Sequence, residues 1–302
     1  MEENDWLAER FEEHRSHLRA VAYRMLGSFT EADDAVQDAW LRVIRSGADE
    51  VENLGGWMTT IVARVCLNML RSRNTRREES LAVHVPDPVV RRGENFQPEE
   101  EALLADSVGL ALLVVLDALP PAERLAFVLH DMFGLPFEEI AAMVDRSPAA
   151  ARQLASRARR RVKGAVASTS HPDLVRQREV VEAFFLAARG GDFDALVDLL
   201  DPDAILRIDA GVGNRAGSME VRGAPALAKQ AGIGIRAWFE RSVIELRPAV
   251  VGGDAGVIAM LGGEPMSVIG FTIVEGKIVE IDAIADPERV RKIVAGVLAE
   301  EP

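Results

Sequence analysis

Between Phe137 and Lys163 the chain reads FEEIAAMVDRSPAAARQLASRARRRVK, and this stretch constrains the fold more than any other. Phe137, Ile140, Ala141 and Val144 recur at the spacing of one helical face. Asp145-Arg146 predicts a turn. Ser147 is a good cap for a second helix, and Pro148 suits its first position, where an N–H has no intrahelical partner. Ala151, Leu154, Ala155, Ala158 and Val162 then follow helical spacing and are expected to face inward. Arg152, Gln153, Ser156, Arg157, Arg160 and Lys163 fall mostly outside that stripe. From Arg146 to Lys163 there are basic residues and no acid.

Two helices joined in this way make a helix-turn-helix, whose second helix lies in the major groove of DNA. Arg152 and Gln153 stand near the start of that helix and are of the kind that reads base edges, while the later arginines suit phosphates. On these residues alone a second reading stays open: a solvated, arginine-rich helix whose cations complement the helix dipole.

A chain of 302 residues has room for two or three domains, and 48% hydrophobic residues suffice for ordinary cores. No apolar run approaches a membrane span, and the first residues, MEENDWLAERFEEHR, are acidic where a signal peptide is basic, so a cytoplasmic protein with no membrane partner is expected. The single cysteine, Cys66, excludes an internal disulfide and a cysteine-cluster zinc site; no cofactor or metal is expected. Net charge is −13, which opposes attraction of the whole surface to nucleic acid. Positive charge gathers at Arg64 to Arg77 and at Arg146 to Lys163, a pattern that suits a grip on DNA at two separate points.

Asp5 to Met25 predicts an amphipathic helix ended by Gly27. A second helix runs from the Thr30-Glu31-Ala32-Asp33 start to Gly47, with Asp33, Asp34, Gln37, Asp38 and Arg42 on its polar face. Asn53 to Gly56 reads as a loop, and Trp57 opens a long helix carrying Arg64, Asn68, Arg71 and Arg73, with Asn74 to Arg77 as its basic end. An aromatic beside a basic helix suits unstacked single-stranded DNA, although for Trp57 taken alone a place in the core is the better reading. Glu79 to Glu101, with Pro86, Pro88, Gly93 and Pro98, reads as a linker. Helical spacing resumes from Ala102, breaks at Pro120-Pro121 and continues from Glu123 to Phe133; Gly164 to Pro172 reads as a second linker. After it come helices at Asp173 to Arg189 and Phe193 to Leu200. They are followed by β-like runs at Ala204 to Ile208, Val243 to Val251, Val257 to Leu261, Ser267 to Val274 and Ile278 to Ile284, and by a closing helix at Pro287 to Leu298. This last part predicts an α+β domain.

Four segments in this order resemble the extracytoplasmic-function, sigma-70-type sigma factors of bacterial RNA polymerase: ADDAVQDAWLRV (Ala32 to Val43), GWMTTIVARVCLNMLRSRNTRR (Gly56 to Arg77), LPPAERLAFVLHDMFGLPFEEIA (Leu119 to Ala141) and SPAAARQLASRARRRV (Ser147 to Val162). The resemblance implies a sigma factor that binds core RNA polymerase, through the β′ coiled coil and the β flap, and directs promoter-specific initiation without chemistry of its own. It implies polymerase contacts by Asp33, Asp34, Gln37 and Asp38. It places Trp57, Arg64, Asn68, Arg71, Arg73, Asn74, Arg76 and Arg77 at the minus-ten element, and Arg146, Arg152, Gln153, Ser156, Arg157 and Arg160 at the minus-thirty-five element. The linker from Glu79 to Glu101 would follow the RNA-exit path of the polymerase.

The C-terminal part resembles the SnoaL-like extension of one group of these factors, a cone-shaped α+β fold of the nuclear-transport-factor-2 type that modulates sigma activity in cis. Asp209-Ala210-Gly211-Val212-Gly213-Asn214-Arg215 is similar to an Asp-Gly-Gly-Gly-Lys/Arg motif of that group, and Asp286-Pro287-Glu288-Arg289-Val290 to its Asn-Pro-Asp-Lys-Leu motif. Asp209, Gly211, Gly213, Arg215, Asp286, Pro287 and Arg289 are thus the candidate regulatory residues, through intramolecular contacts with the sigma domains. The expected organisation is a multidomain chain: an all-α region 2 domain over 1–78, a linker over 79–101, an all-α region 4 domain with the helix-turn-helix over 102–164, a linker over 165–172 and the SnoaL-like domain over 173–302. An alternative is a sigma-like DNA-binding protein whose third domain is a small-molecule sensor or a SnoaL-like enzyme. Such enzymes set an acid or base in an apolar pocket with an oxyanion partner. Asp203, Asp209, Glu264 and Asp282 are candidate bases, but after His171 the chain has no Tyr, His or Cys, so no enzyme activity is expected. Trp238, Phe239 and Phe271 are candidate walls of an apolar ligand cavity or plain core.

Overall fold

The structure is a computed structural model that describes residues 2–46, 51–78, 83–92, 109–166, 174–211, 217–241 and 244–298. These fall into two compact units: residues 1–81 with 112–166, and residues 82–111 with 167–302. The first unit joins what the sequence divides into two sigma domains, and the second takes in most of the segment read as a linker.

The helical unit begins with α1 (Glu2–Leu26), α2 (Phe29–Ser46) and α3 (Leu54–Glu78), which pack on one another. Phe11, Leu18, Met25, Val36, Val43, Met58, Val62 and Cys66 are buried between them, which matches the helical spacing of the sequence. Gly27 ends α1 in the left-handed conformation, its N–H donating to the carbonyl of Tyr23. α3 starts three residues before Trp57, because the carboxamide oxygen of Asn53 caps it by accepting from the N–H of Gly56 at 3.0 Å. The predicted loop is therefore an N-cap and a first turn.

Helices α4 (Leu110–Asp117), α5 (Pro121–Phe127), α6 (Phe137–Val144) and α7 (Pro148–Val166) follow, with one π-helical turn, Val128–Met132, continuing α5. α6 ends on Asp145 at φ 53°, and the Ser147 hydroxyl caps α7 by accepting from the N–H of Ala150 at 3.2 Å. Ala151, Ala155 and Ala158 are buried against α5 and α6, as their spacing predicts. Within this unit α3 also packs on α5 and α6. Asp117 accepts from Arg124 at 3.1 Å and from Arg73 at 3.5 Å, and Phe133 meets His17 edge-on and lies under Arg24.

The second unit has α8 (Leu174–Gly190), α9 (Phe193–Leu199), α10 (Ala224–Arg241), α11 (Pro287–Leu298) and a seven-stranded sheet. Its strands are β1 (Val90–Arg92), β2 (Leu200–Asp209), β3 (Met219–Arg222), β4 (Ile244–Val251), β5 (Asp254–Leu261), β6 (Glu264–Val274) and β7 (Lys277–Ile284), in the order β1-β4-β5-β6-β7-β2-β3. Three two-residue turns, Gly252-Gly253, Gly262-Gly263 and Glu275-Gly276, all have φ near +51 to +90°, the conformation that matches strand twist in tight hairpins. β2 and β7 are parallel; the other pairings are antiparallel. One face packs on α8 and α10 around Phe184, Phe185, Leu227, Ile235, Phe271 and Ile281. This is the α+β cone expected of the C-terminal part.

The linker departs most from its expected path. Residues 83–92 lie against the C-terminal sheet, and β1 pairs with β4 in the register Val90↔Val251. The N–H of Gly252 donates to the carbonyl of Val89, and the N–H of Leu110 to the carbonyl of Gly252. The Leu110 side chain seats where Gly270 has no side chain: a Cβ there would lie 2.7 Å from the Leu110 Cδ2. Residues 93–108, with Gly93, Pro98 and the predicted restart at Ala102, lie outside the described residues.

Candidate functional site

Each candidate polymerase-binding residue stands on the exposed face of α2. Asp33, Asp34, Gln37 and Asp38 are all exposed, opposite the buried Ala32, Ala35, Val36 and Ala39. Asp33 pairs with Arg19 at 2.6 Å and Asp38 with Arg42 at 3.0 Å, contacts that water screens heavily at such exposure.

On α3, Arg64, Asn68 and Arg71 are exposed and Trp57 is half-buried. Arg73 differs from its neighbours. It pairs with Glu31, donates to the carbonyl of Leu26 and to Asp117, and is only 16% exposed, so in this structure it is used inside the helical unit. Asn74, Arg76 and Arg77 belong to the described span of α3, but their side chains lie outside the described residues.

On α7, Arg152, Gln153, Ser156, Arg157 and Arg160 are exposed, and Arg146 is exposed in the turn before it. They do not form one uniform surface. Arg152 lies over the ring of Phe137, 5.2 Å from its centre. Arg157 and Arg161 both turn to the buried carboxylate of Glu123, at 3.6 and 3.0 Å, and Arg159 pairs with Asp131. That leaves Gln153, Ser156 and Arg160 on the outer side of the helix, with Arg152 held by its aromatic neighbour.

The two motifs of the C-terminal unit meet in one charged cluster. Asp209 ends β2 and Asp286 starts α11, where Pro287 takes the first helical position. The Asp286 carboxylate accepts from the N–H groups of Glu288 and Arg289 at 3.0 and 2.9 Å and so caps α11. That cap aims Arg289 back at the linker. Arg289 donates to Asp209 at 2.6 Å, to Asp87 at 2.6 and 2.9 Å and to the carbonyl of Val85 at 2.5 Å. Asp209 in turn accepts from the N–H groups of Val85 and Gly211, each at 3.0 Å, and lies 3.3 Å from His84. Gly211 has φ +81°, and a Cβ there would fall 1.9 Å from the Asp286 carboxylate, so glycine is required where the two motifs touch. Gly213 and Arg215 lie outside the described residues.

The electrostatics of the cluster follow from this packing. Burial alone would raise the pKa of Asp209. The hydrogen bond with His84, the charge of Arg289 and the two backbone donors outweigh it and hold the carboxyl well below the usual range. Burial likewise opposes the charge on Arg289, but Asp87 and Asp209 raise its pKa. Asp209 and Arg289 are thus both charged at physiological pH. Asp87 and His84 were missed in the sequence because the linker looked like plain loop; the Pro-Asp-Pro run is the only local signal there.

The other candidate bases are scattered. Asp203 and Glu264 are exposed. Asp282 is buried on β7 and pairs with Arg207 at 3.1 Å; burial raises its pKa to about 6 against the pull of Arg207. None of the four lines the small apolar cavity between the sheet and α10, which is walled by Leu206, Ile208, Phe271 and Ile281. Cys66 is buried in the helical unit, and burial pushes its thiol up to about 12, so it is inert as a nucleophile. Among the described residues no group of His, Cys, Asp and Glu is placed to hold a metal ion, and no helix is long and apolar enough to cross a membrane.

Two all-α regions, one with a helix-turn-helix and one with a long basic helix, followed by an α+β cone, define a class: sigma-70-type transcription factors with a C-terminal extension. The profile of Sigma-70 region 2 matches residues 10–76, and that of Sigma-70, region 4, matches residues 109–162. The ECF RNA polymerase sigma factor SigJ of Mycobacterium tuberculosis is 35% identical over 289 residues, 92% of this chain and 91% of the relative. The probable ECF RNA polymerase sigma factor SigI of the same species is 33% identical over 291 residues, 95% of this chain and 96% of the relative. The crystal structure of M. tuberculosis SigJ matches with a TM-score of 0.64 at 32% identity, covering 93% of this chain and 97% of that one. The chain belongs to the extracytoplasmic-function sigma factors. These relatives are named as sigma factors.

Proposed function

We propose that this chain directs promoter-specific initiation by core RNA polymerase and that its C-terminal domain controls it by holding the linker between regions 2 and 4. The α2 surface of Asp33, Asp34, Gln37 and Asp38 docks on the β′ coiled coil, and region 4 contacts the β flap. Arg64, Asn68, Arg71 and the basic end of α3 engage the minus-ten element. The outer side of α7, with Arg152, Gln153, Ser156 and Arg160, enters the major groove at the minus-thirty-five element, a reading its exposure and chemistry support. Arg157 contributes after it leaves Glu123, and Arg73 after it leaves Glu31 and Asp117.

The observation that carries the control is the grip of Arg289 and Asp209 on Val85 and Asp87. A linker paired to a sheet edge through Val90 cannot at the same time lie in the path of the exiting RNA. Polymerase engagement therefore requires the clamp to open, and the clamp sets the cost of that opening. Run-off transcription with core polymerase tests both parts, comparing the whole chain, the chain ending at Lys163 and Arg289→Ala. Promoter-dependent transcripts are expected, with Arg289→Ala giving more than the whole chain. No promoter-dependent transcript from any of the three would refute the sigma reading; equal output from Arg289→Ala and the unchanged chain would refute the clamp.

A further inference from the structure

The arginines of α7 are held in two different ways. Arg157 and Arg161 turn to the carboxylate of Glu123, at 3.6 and 3.0 Å, and Arg159 turns to that of Asp131. Arg152 is exposed and turns to an aromatic ring: its guanidinium carbon lies 5.2 Å from the centre of Phe137. Among the described residues it has no ion-pair partner.

Phe137 is itself fixed. It is the first residue of α6, follows Pro136 and is only 8% exposed. The ring of His130 stacks on it, with centroids 3.8 Å apart and planes inclined by 28°. His130 is tied down in turn. Its Nδ1 lies 2.9 Å from the carbonyl oxygen of Leu135, which can only accept, so Nδ1–H donates. A buried aromatic ring of this kind is a stationary platform for the cation above it.

The two kinds of partner have different consequences. A carboxylate takes up the in-plane N–H donors of a guanidinium and offsets its charge. An aromatic face attracts the flat side of the cation and leaves both the N–H edge and the charge available. Arg152 is therefore oriented before it meets DNA, and little side-chain freedom is left to lose on binding. Its edge carries the parallel N–H pair that the O6 and N7 atoms of guanine accept in the major groove.

We propose that Phe137 is a positioning residue for base recognition: its ring presents the edge of Arg152 to a guanine of the minus-thirty-five element, and Arg152 specifies that base. This rests on the promoter reading above.

The test uses the whole chain with core RNA polymerase and a promoter library randomised across the minus-thirty-five region, each template carrying a transcribed barcode. The unchanged chain should prefer guanine at one position, and Arg152→Ala should lower that preference about tenfold or more, at that position alone. Phe137→Leu, which fills the site without a π face, should lower it about two- to fivefold at the same position, and Phe137→Tyr, which keeps the face, should retain it. In an Arg152→Ala background Phe137→Leu should change nothing further. A ring that merely packs α6 would weaken all positions alike, and in both backgrounds; either result overturns the proposal, as does a guanine preference that survives Arg152→Ala. If Phe137→Leu does not fold, Phe137→Met decides, since it also lacks a π face. A library from which the unchanged chain selects no minus-thirty-five sequence refutes the promoter reading and this proposal with it. Selection of a sequence that is indifferent to residue 137 refutes the positioning role alone.

Discussion

The two faces of the C-terminal sheet are built from alternate residues of the same strands and are opposite in kind. On β2, Leu206 and Ile208 face the apolar cavity, while Arg207 and Asp209 face the other way. On β7, Ile281 and Ala283 line the cavity, while Glu280 and Asp282 reach Arg207 at 3.3 and 3.1 Å. Charged groups stripped of water require partners in fixed positions: the sheet itself supplies those of Arg207, and the linker, through Val85 and Asp87, supplies those of Asp209 and Arg289. Apolar groups require only volume, and on their face some volume is left. The difference teaches that one face is covered by the protein itself through fixed polar contacts, whereas the other packs loosely enough to leave a small apolar cavity.

Four substitutions break or sharpen this contrast, here from the largest effect to the smallest. Arg289→Ala removes the side chain that joins Asp87 to Asp209 and takes its guanidinium from both buried carboxylates. The linker should open at a cost lowered by about 2–4 kcal/mol, less than for a fully buried pair because Arg289 is partly exposed. Hydrogen exchange at the amides of Val85 to Val90 is the measure, and unchanged protection there would show that β1 pairing alone holds the segment.

Asp282→Asn probes the same face through pH. Burial raises the folded pKa of Asp282 to about 6, above its ordinary value of 3.8. The folded state therefore binds this proton more tightly than the unfolded one. The contribution of the group to stability is full below about pH 4, falls as pH rises toward 6 and stays lost above, a change of roughly 2–3 kcal/mol. Denaturant unfolding of Asp282→Asn from pH 4 to 7 should lack that fall; a curve parallel to that of the unchanged protein would mean that Asp282 is ionised throughout.

Gly211→Ala forces a Cβ against the Asp286 carboxylate and a left-handed φ on alanine. A loss of about 2 kcal/mol is expected, read as faster exchange at the start of α11. On the apolar face the sign reverses. Gly234→Ala should stabilise the unit by up to about 1 kcal/mol, since helix propensity improves and nothing is displaced. A loss in thermal unfolding would show that the cavity is tighter than its geometry indicates.

Much of the helical unit was legible in advance because its signals are local. Helical spacing located α7 and its buried alanines, and Ser147 and Pro148 announced its start. The start of α11 at Pro287 and the Glu275-Gly276 hairpin were equally plain. Asn53 was harder: a cap and a loop residue look alike when two glycines follow. β3 and α10 were missed, as a four-residue strand and a helix with two interior glycines carry weak signals.

What the sequence by itself determined is therefore everything carried by periodicity, capping and turn chemistry over a few residues: the helix-turn-helix, the basic helix, the hairpins, and two candidate regulatory motifs whose contacts it did not reveal. Only the tertiary structure decided where those motifs point. Asp87 and Arg289 lie 202 positions apart, and a three-residue strand after a Pro-Asp-Pro run has no pattern of its own. The same holds for Arg73 and Arg157, which look like free cations in the sequence and are met by Asp117 and Glu123 in the fold. Local chemistry selects the elements, but a charged side chain finds its partner only after long-range packing has removed the water that would otherwise satisfy it.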